Sequence, residues 1–337
     1  RRIFGKKVEF FASIFMVPVY FGYVAAQLVA LALIFTTVAD ISITQGIILS
    51  AAIVVFYTFL GGMWAISITD FIQTTFIVIG LVWVAVLVAQ KAGGISPILD
   101  SAPEGSFQFI PDAKVLDWTN YIGAWIILGL GSIPSQDIYQ RVMSSKSEKV
   151  AVQSTYLAGT FYVTIGLLPL FIALGAKHLY PEIYLENKQL LLPEMVLRHS
   201  GLHVQILFFG ALISAIMSTT SSGLLAPSAI VSENLIRPYF GGKLKDKHFL
   251  WILRFNIVSI AIISTIMAQW KSNIYELVAG ASILMLVSLF VPLVAGLYWK
   301  KASEMGALMS IVFGMIAYMG LSSIEIPIYP HLPALLV

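Results

Sequence analysis

Five consecutive hydroxyl side chains, Ser218-Thr219-Thr220-Ser221-Ser222, stand inside an otherwise apolar stretch. Ala215, Ser218, Thr219 and Ser222 follow i, i+3, i+4, i+7 spacing, so they share one helix face. Hydroxyls, with a main-chain carbonyl one turn earlier, are hard oxygen donors of the kind that hard cations take. The same composition also serves helix packing: small residues let helices approach, and Ser/Thr hydroxyls bond back to their own helix. Taken by itself, the segment is compatible with either use.

Two further places break an apolar run. In Thr69-Asp70-Phe71-Ile72-Gln73 a carboxylate lies about one turn inside the end of a hydrophobic segment. Asp70 there is either an interfacial cap or a carboxylate that faces a water-lined cavity and helps to hold a cation. In Gly129-Leu130-Gly131-Ser132-Ile133-Pro134-Ser135-Gln136-Asp137, Pro134 removes a backbone donor, and Gly129 and Gly131 tolerate non-helical angles. A helix break is expected at these three residues. It is either a simple kink or an interrupted helix lining a solute site, because irregular backbone at membrane depth needs protein or a cavity around it. Gln136 and Asp137 point to solute in the second case, or Asp137 pairs with Arg141. Gln27 is a further candidate for facing a central cavity. Glu233 and Glu276, at span ends, read as interfacial structural groups.

The elements that must position these residues are membrane helices. Of 337 residues 58% are hydrophobic and 11% charged, against about 25% charged in soluble domains. Mean hydropathy is +0.89. A spanning helix needs about 20 apolar residues to cross ~30 Å of hydrocarbon. Nine stretches qualify: 9–37, 44–61, 66–90, 118–139, 151–176, 204–233, 249–268, 274–298 and 304–322. A tight turn at Gly61-Gly62 separates the second from the third. Runs of this length exclude a β-barrel, whose strands alternate over about 10 residues.

Loop charge orients the chain. Fourteen of the 20 Lys/Arg fall in alternate loops: the stretch 1–7, the stretch 141–149, the stretch 237–254, and Lys300 with Lys301. The other six (Lys91, Lys114, Lys177, Lys188, Arg198, Lys271) fall on the opposite side. Residue 1 is therefore expected in the cytoplasm, in a plasma membrane such as a bacterial inner membrane. The two long outer loops, near 91–117 and 177–203, are expected to carry short amphipathic helices. The start, Arg1-Arg2-Ile3-Phe4-Gly5-Lys6-Lys7, has the make-up of an interhelical loop, so the chain is expected to begin partway into a longer protein. With no cysteine there are no disulfides, thiolate metal sites or cysteine nucleophiles. The sequence has no His-Glu-x-x-His site, Gly-x-Ser-x-Gly elbow or phosphate loop. Neither an enzyme nor an ATP-driven pump is expected. Partners are the lipid bilayer, a small-molecule solute and a coupling ion, with no nucleic acid and no cofactor.

Three motifs then carry a resemblance. Tyr57-Thr58-Phe59-Leu60-Gly61-Gly62-Met63-Trp64-Ala65 followed by Thr69-Asp70-Phe71-Ile72-Gln73 resembles the signature of the sodium/solute symporters. Gln136, Gln140-Arg141-Val142 and Ser144-Ser145-Lys146 are similar to that family's segment after core helix 6. Met217-Ser218-Thr219 through Asn234 is similar to its core helix 8. The motifs occur in the family's order and cover most of the chain.

The resemblance implies an all-α, polytopic fold with about nine spans here. They form part of a five-plus-five inverted-repeat core: 1–90 ends the first repeat, 118–298 is the second, and 304–322 is an extra C-terminal helix. Core helices 1 and 2 are then absent from this single transporter domain. By motif position a sodium site uses the Ala215 carbonyl with the Ser218 and Thr219 hydroxyls. A second sodium site matches Asp70, Ser221 and Ser222. Gln27, Gly131, Ser132, Ser135 and Gln136 are the solute-facing candidates. Gly-Ser-Ile-Pro-x-Gln is similar to the choline-transporter branch, although that branch has an aromatic residue where Ser135 stands. The implied activity is sodium-driven symport of a small polar or charged organic solute by alternating access. The competing reading is a symporter-like sensor domain of a signalling protein.

Overall fold

Inside lipid a backbone N–H or C=O has no water to bond, so a spanning segment must satisfy its polar groups within itself. The computed structural model of the protein describes residues 3–59, 67–112, 114–240 and 244–336. Helices dominate, and no strand occurs among the described residues. The expected Gly61-Gly62 turn lies outside the described residues, as do Arg1, Arg2 and Lys243.

Seven helical stretches among the described residues are long and apolar enough to cross a membrane: Gly5–Ala39, Ser67–Lys91, Glu148–Leu179, Leu202–Phe240, Asp246–Trp270, Ile274–Tyr298 and Glu304–Ser322. The second expected span begins α2 (Ile43–Lys91) as the shorter apolar stretch Ile43–Phe59. The fourth expected span is divided into α4 (Val115–Gly131) and α5 (Gln136–Met143), with residues 132–135 between them outside regular helix. The remaining long helices are α1 (Gly5–Ala39), α6 (Glu148–Thr164) with α7 (Leu168–Leu179), α10 (Leu202–Ile230), α11 (Asp246–Trp270), α12 (Ile274–Met285) with α13 (Val291–Tyr298), and α14 (Glu304–Ser322). Short helices occupy the two long loops: α3 (Ser96–Asp100) in the first, and α8 (Pro181–Glu186) with α9 (Leu191–His199) in the second. The tail ends in α15 (His331–Ala334).

The chain divides into two compact units. The first comprises Arg1–Ala26, Phe109–Tyr139 and Gly223–Val337. Its core joins Val8, Val19 and Tyr20 of α1 to Ala226, Ala281, Met285, Leu289, Ala307 and Ile311. Small residues set how closely its helices approach. A Cβ on Gly131, at the end of α4, would lie 2.5 Å from the Ser282 carbonyl oxygen of α12, so only glycine fits there without a backbone shift. Buried His331 fixes α15 to α4 through Nε2, 3.0 Å from the Gly123 carbonyl oxygen. Burial pushes the imidazole pKa down, because it penalises the charged form.

The second unit comprises Gln27–Gln108 and Gln140–Ser222. Here α2 packs along α7, and a Cβ on Gly80 of α2 would lie 3.0 Å from the Ala211 Cβ of α10.

Replacing Gly131 by Ala is expected to destabilise the detergent-solubilised protein by about 1–3 kcal/mol. Gly129→Ala, where an added Cβ meets nothing within 4 Å, is expected to be neutral or stabilising by up to about 1 kcal/mol. Thermal unfolding distinguishes the two. The lowered His331 pKa means that the unfolded chain binds this proton first as pH falls. Stability is therefore expected to drop as pH falls through the unfolded value of about 6.5. In His331→Gln the acid slope is expected to be shallower.

Candidate cation site

On the Ser67–Lys91 part of α2, residues 70, 73, 77 and 80 recur at helical spacing and form one face. That face lies against α10. Gly80 meets Ala211 and the Leu207 carbonyl at one end, and Asp70 meets Ser218 at the other. Ascending numbers on α2 face descending numbers on α10, so the two helices run antiparallel. Both contacts lie inside the second compact unit.

Asp70 is the centre of this arrangement. The Ser218 hydroxyl donates to Asp70 Oδ1. Arg141, on α5, donates from Nη2 to Asp70 Oδ2 at 2.8 Å and to Ser222 Oγ at 2.5 Å. The Asp70 side chain is 19% exposed and that of Arg141 42%. Solvent screening on the Arg141 side keeps the pair's worth near about 1 kcal/mol, so its interest is chemical more than energetic.

The other hydroxyls turn back on their own helix. Thr219 donates to the Ala215 carbonyl at 2.9 Å, Thr220 to the Ile216 carbonyl at 2.5 Å, and Ser221 and Ser222 to the Ser218 carbonyl at 3.0 and 3.1 Å. Ser218 and Thr219 are half-buried, whereas Thr220, Ser221 and Ser222 are buried. Such back-bonding is the ordinary habit of Ser and Thr in a membrane helix. It leaves each hydroxyl oxygen with lone pairs to offer.

Gln73 tests whether this corner fits a cation. Its Oε1 is buried and has no hydrogen-bond partner, one turn from Asp70 on the face toward α10. An orphaned buried acceptor costs roughly 1–3 kcal/mol unless something positive or hydrogen-bearing meets it. The donor set here is therefore a carboxylate, carbonyl oxygens and hydroxyls. It is the chemistry of a hard cation with no soft ligand.

The remaining candidates lie elsewhere. Gln27 is half-buried on α1, in the second unit. In the first unit Gly131 is buried against Ser282, and Gly129 is exposed on α4. Ser132 bonds back to the Leu128 carbonyl. Pro134 is buried in the non-helical stretch. Ser135 Oγ lies 3.5 Å from Met285 Sδ. Gln136 opens α5 and is half-buried. Asp137 accepts a hydrogen bond from the Tyr20 hydroxyl at 2.8 Å, and its own N–H points back to that hydroxyl at 3.3 Å. Glu276 is held in the Asn273 cap of α12, and Glu233 pairs with Arg237.

Sequence reasoning singled out neither the partner of Asp70 nor the orphaned oxygen of Gln73. The loop-charge pattern held the first signal, because it put Asp70 and Arg141 at the same end of their spans. The second was visible only as Gln73 falling three residues after Asp70.

The geometry defines a multi-pass membrane protein whose α2–α10 corner gathers oxygen donors around one carboxylate. Comparison with known proteins agrees. The sodium:solute symporter family profile matches residues 1–314. The chain belongs to the sodium:solute symporter family. It is 25% identical over 332 residues to the high affinity choline transporter 1 of Homo sapiens, covering 94% of this chain and 56% of that protein. It is 28% identical over 312 residues to an osmoregulated proline transporter of Bacillus subtilis, covering 90% and 62%. It is 29% identical over 328 residues to sodium/proline symporter 2 of Staphylococcus saprophyticus, covering 92% and 61%. The chain thus spans little more than half the length of the human choline transporter. In fold it resembles a Na+-coupled sialic acid symporter solved in a substrate-bound outward-open state, with TM-score 0.78, 19% identity, and coverage of 99% of this chain and 73% of that one.

Substituting Gln73 by Met removes the orphaned oxygen at similar volume. In sodium-free buffer this variant is expected to unfold at the same temperature as the parent or higher, since the lost group is an unmet acceptor. A clear drop would mean that the oxygen has a partner in solution.

Proposed function

We propose that this protein is a sodium-coupled symporter that carries a small polar or charged organic solute across the plasma membrane by alternating access. Residue 1 faces the cytoplasm in this reading. The observation that carries it is the α2–α10 corner, where a carboxylate and an orphaned amide oxygen lie beside a helix bearing five hydroxyls in a row. Family membership supports the ion and the class of transport.

The Ala215 carbonyl with the Ser218 and Thr219 hydroxyls holds one sodium. Helical spacing, which puts residues 215, 218 and 219 on one face, supports this. Asp70, Ser221 and Ser222 are assigned to a second sodium. Gln27, Gly131, Ser132, Ser135 and Gln136 are assigned to the solute path. Polar side chains beside an interrupted helix are where transporters of this class place their cargo. The relatives' names span choline, proline and sialic acid, that is a cation, a zwitterion and an anion. The solute class is accordingly set at small, polar or charged organic compounds. Coupling follows if sodium binds one conformation more tightly than the other, since a ligand shifts an equilibrium only by its differential affinity.

The test is uptake by the full-length protein in proteoliposomes, with a panel of amines, amino acids and sugar acids presented under sodium or potassium gradients. For the solute so found, Ser218→Ala combined with Thr219→Ala is expected to reduce sodium-driven uptake to the rate seen in potassium. Undiminished sodium dependence in that variant would remove the assignment to α10.

A further inference from the structure

The oxygens assigned to the second sodium are already engaged by a positive group of the protein itself. Arg141 Nη2 contacts Asp70 Oδ2 at 2.8 Å and Ser222 Oγ at 2.5 Å. The Ser222 hydroxyl hands its own proton to the Ser218 carbonyl, so its lone pair is free to meet the guanidinium. Ser218 gives its proton to the other carboxylate oxygen. We propose that Arg141 is a tethered rival of sodium: the guanidinium and the ion take the Asp70–Ser222 oxygens in turn, and the ion binds only when the arginine has let go. This rests on the reading of Asp70, Ser221 and Ser222 as a second sodium site.

Three physical points carry the rivalry. The guanidinium stays charged at any physiological pH, so proton loss cannot remove it; it must move. One carboxylate compensates one positive charge. A sodium added beside the bound guanidinium would set two cations a few ångströms apart in a partly desolvated corner, where like charges repel strongly. Arginine also has somewhere to go. Its side chain is 42% exposed against 19% for Asp70, and it is borne on the eight-residue α5, which starts directly after the non-helical residues 132–135. A helix joined to its predecessor through such a stretch can shift without unwinding a span. Sodium occupancy at Asp70 is thereby tied to the position of α5. In the absence of sodium the carboxylate keeps a counter-charge.

The test uses the full-length protein in detergent, with its unfolding temperature followed along a sodium titration at constant ionic strength balanced by N-methylglucamine. Arg141→Gln is expected to lower the half-saturating sodium concentration of the Asp70-dependent component at least threefold. Arg141→Lys, which keeps the charge, is expected to stay near the parent. Asp70→Asn is expected to abolish that component in either background. A wild-type measurement needs no substitution: sodium, but not potassium, is expected to speed modification of Arg141 by phenylglyoxal severalfold, read by mass spectrometry. An Asp70-dependent component that Arg141→Gln leaves unmoved or shifts to higher sodium overturns the rivalry alone, as does Arg141 labelling that sodium leaves unchanged or slows. A sodium response insensitive to Asp70→Asn removes the second site, and the rivalry with it. No sodium response in the wild type overturns the symporter reading as well.

Discussion

A carboxylate at membrane depth must have a positive partner or give up its charge, and Asp70 is the residue on which that requirement falls. Much of the second unit can be understood from it. Arg141 comes to Asp70 from a residue 71 positions away in the chain, and Ser218 turns outward from α10 when its four hydroxyl neighbours all bond back to their own helix. Glycine at position 80 lets α2 and α10 approach closely one end further on. The Gln73 oxygen is then enclosed between these two fixed ends without a donor. A corner built this way is rich in lone-pair density, and its carboxylate is balanced by the Arg141 guanidinium.

The first unit meets a different constraint. Four residues leave regular helix between α4 and α5, and lipid cannot hydrogen-bond the groups set free. Turn hydrogen bonds meet part of the need: the Ile133 N–H donates to the Leu130 carbonyl and the Ser135 N–H to the Ser132 carbonyl. Pro134 has no N–H to leave unmet and is buried. The Asp137 N–H, in the first turn of α5, donates to the hydroxyl of Tyr20, which is itself only 1% exposed. Gly131 brings the end of α4 against the Ser282 carbonyl. Wide π-helical turns also interrupt the two long helical stretches after α10 and α12, at Val231–Ile236 and Leu286–Phe290. Such turns recur at functional sites in other proteins.

Much of this was legible beforehand, for reasons that are themselves physical. Hydropathy reads length against bilayer thickness, so the all-helical, multi-pass character was plain. Proline and glycine act on their own backbone, so the 129–137 segment drew notice. What periodicity cannot supply is the register between helices distant in sequence. Asp70 could be read as a cap or a ligand, but nothing local says that it meets Arg141 and Ser218 at once. The sequence marks Gly131 as a helix-break residue and a solute-facing candidate, and only α12 explains why no side chain would fit there. The back-bonded state of Thr219 was equally invisible, since the residue type permits either partner. For the hydroxyl run, packing and ion binding turn out to be compatible uses of the same oxygens, because a hydroxyl that donates to its helix still has lone pairs facing out.

The central claim is that the oxygens of α2 and α10 take sodium in preference to other alkali cations. Equilibrium binding of radioactive sodium to the purified full-length protein addresses it without assuming a solute. Saturable binding that unlabelled sodium displaces and equal potassium does not is the predicted result. Absence of saturable binding, or displacement by potassium as effective as by sodium, would contradict the account.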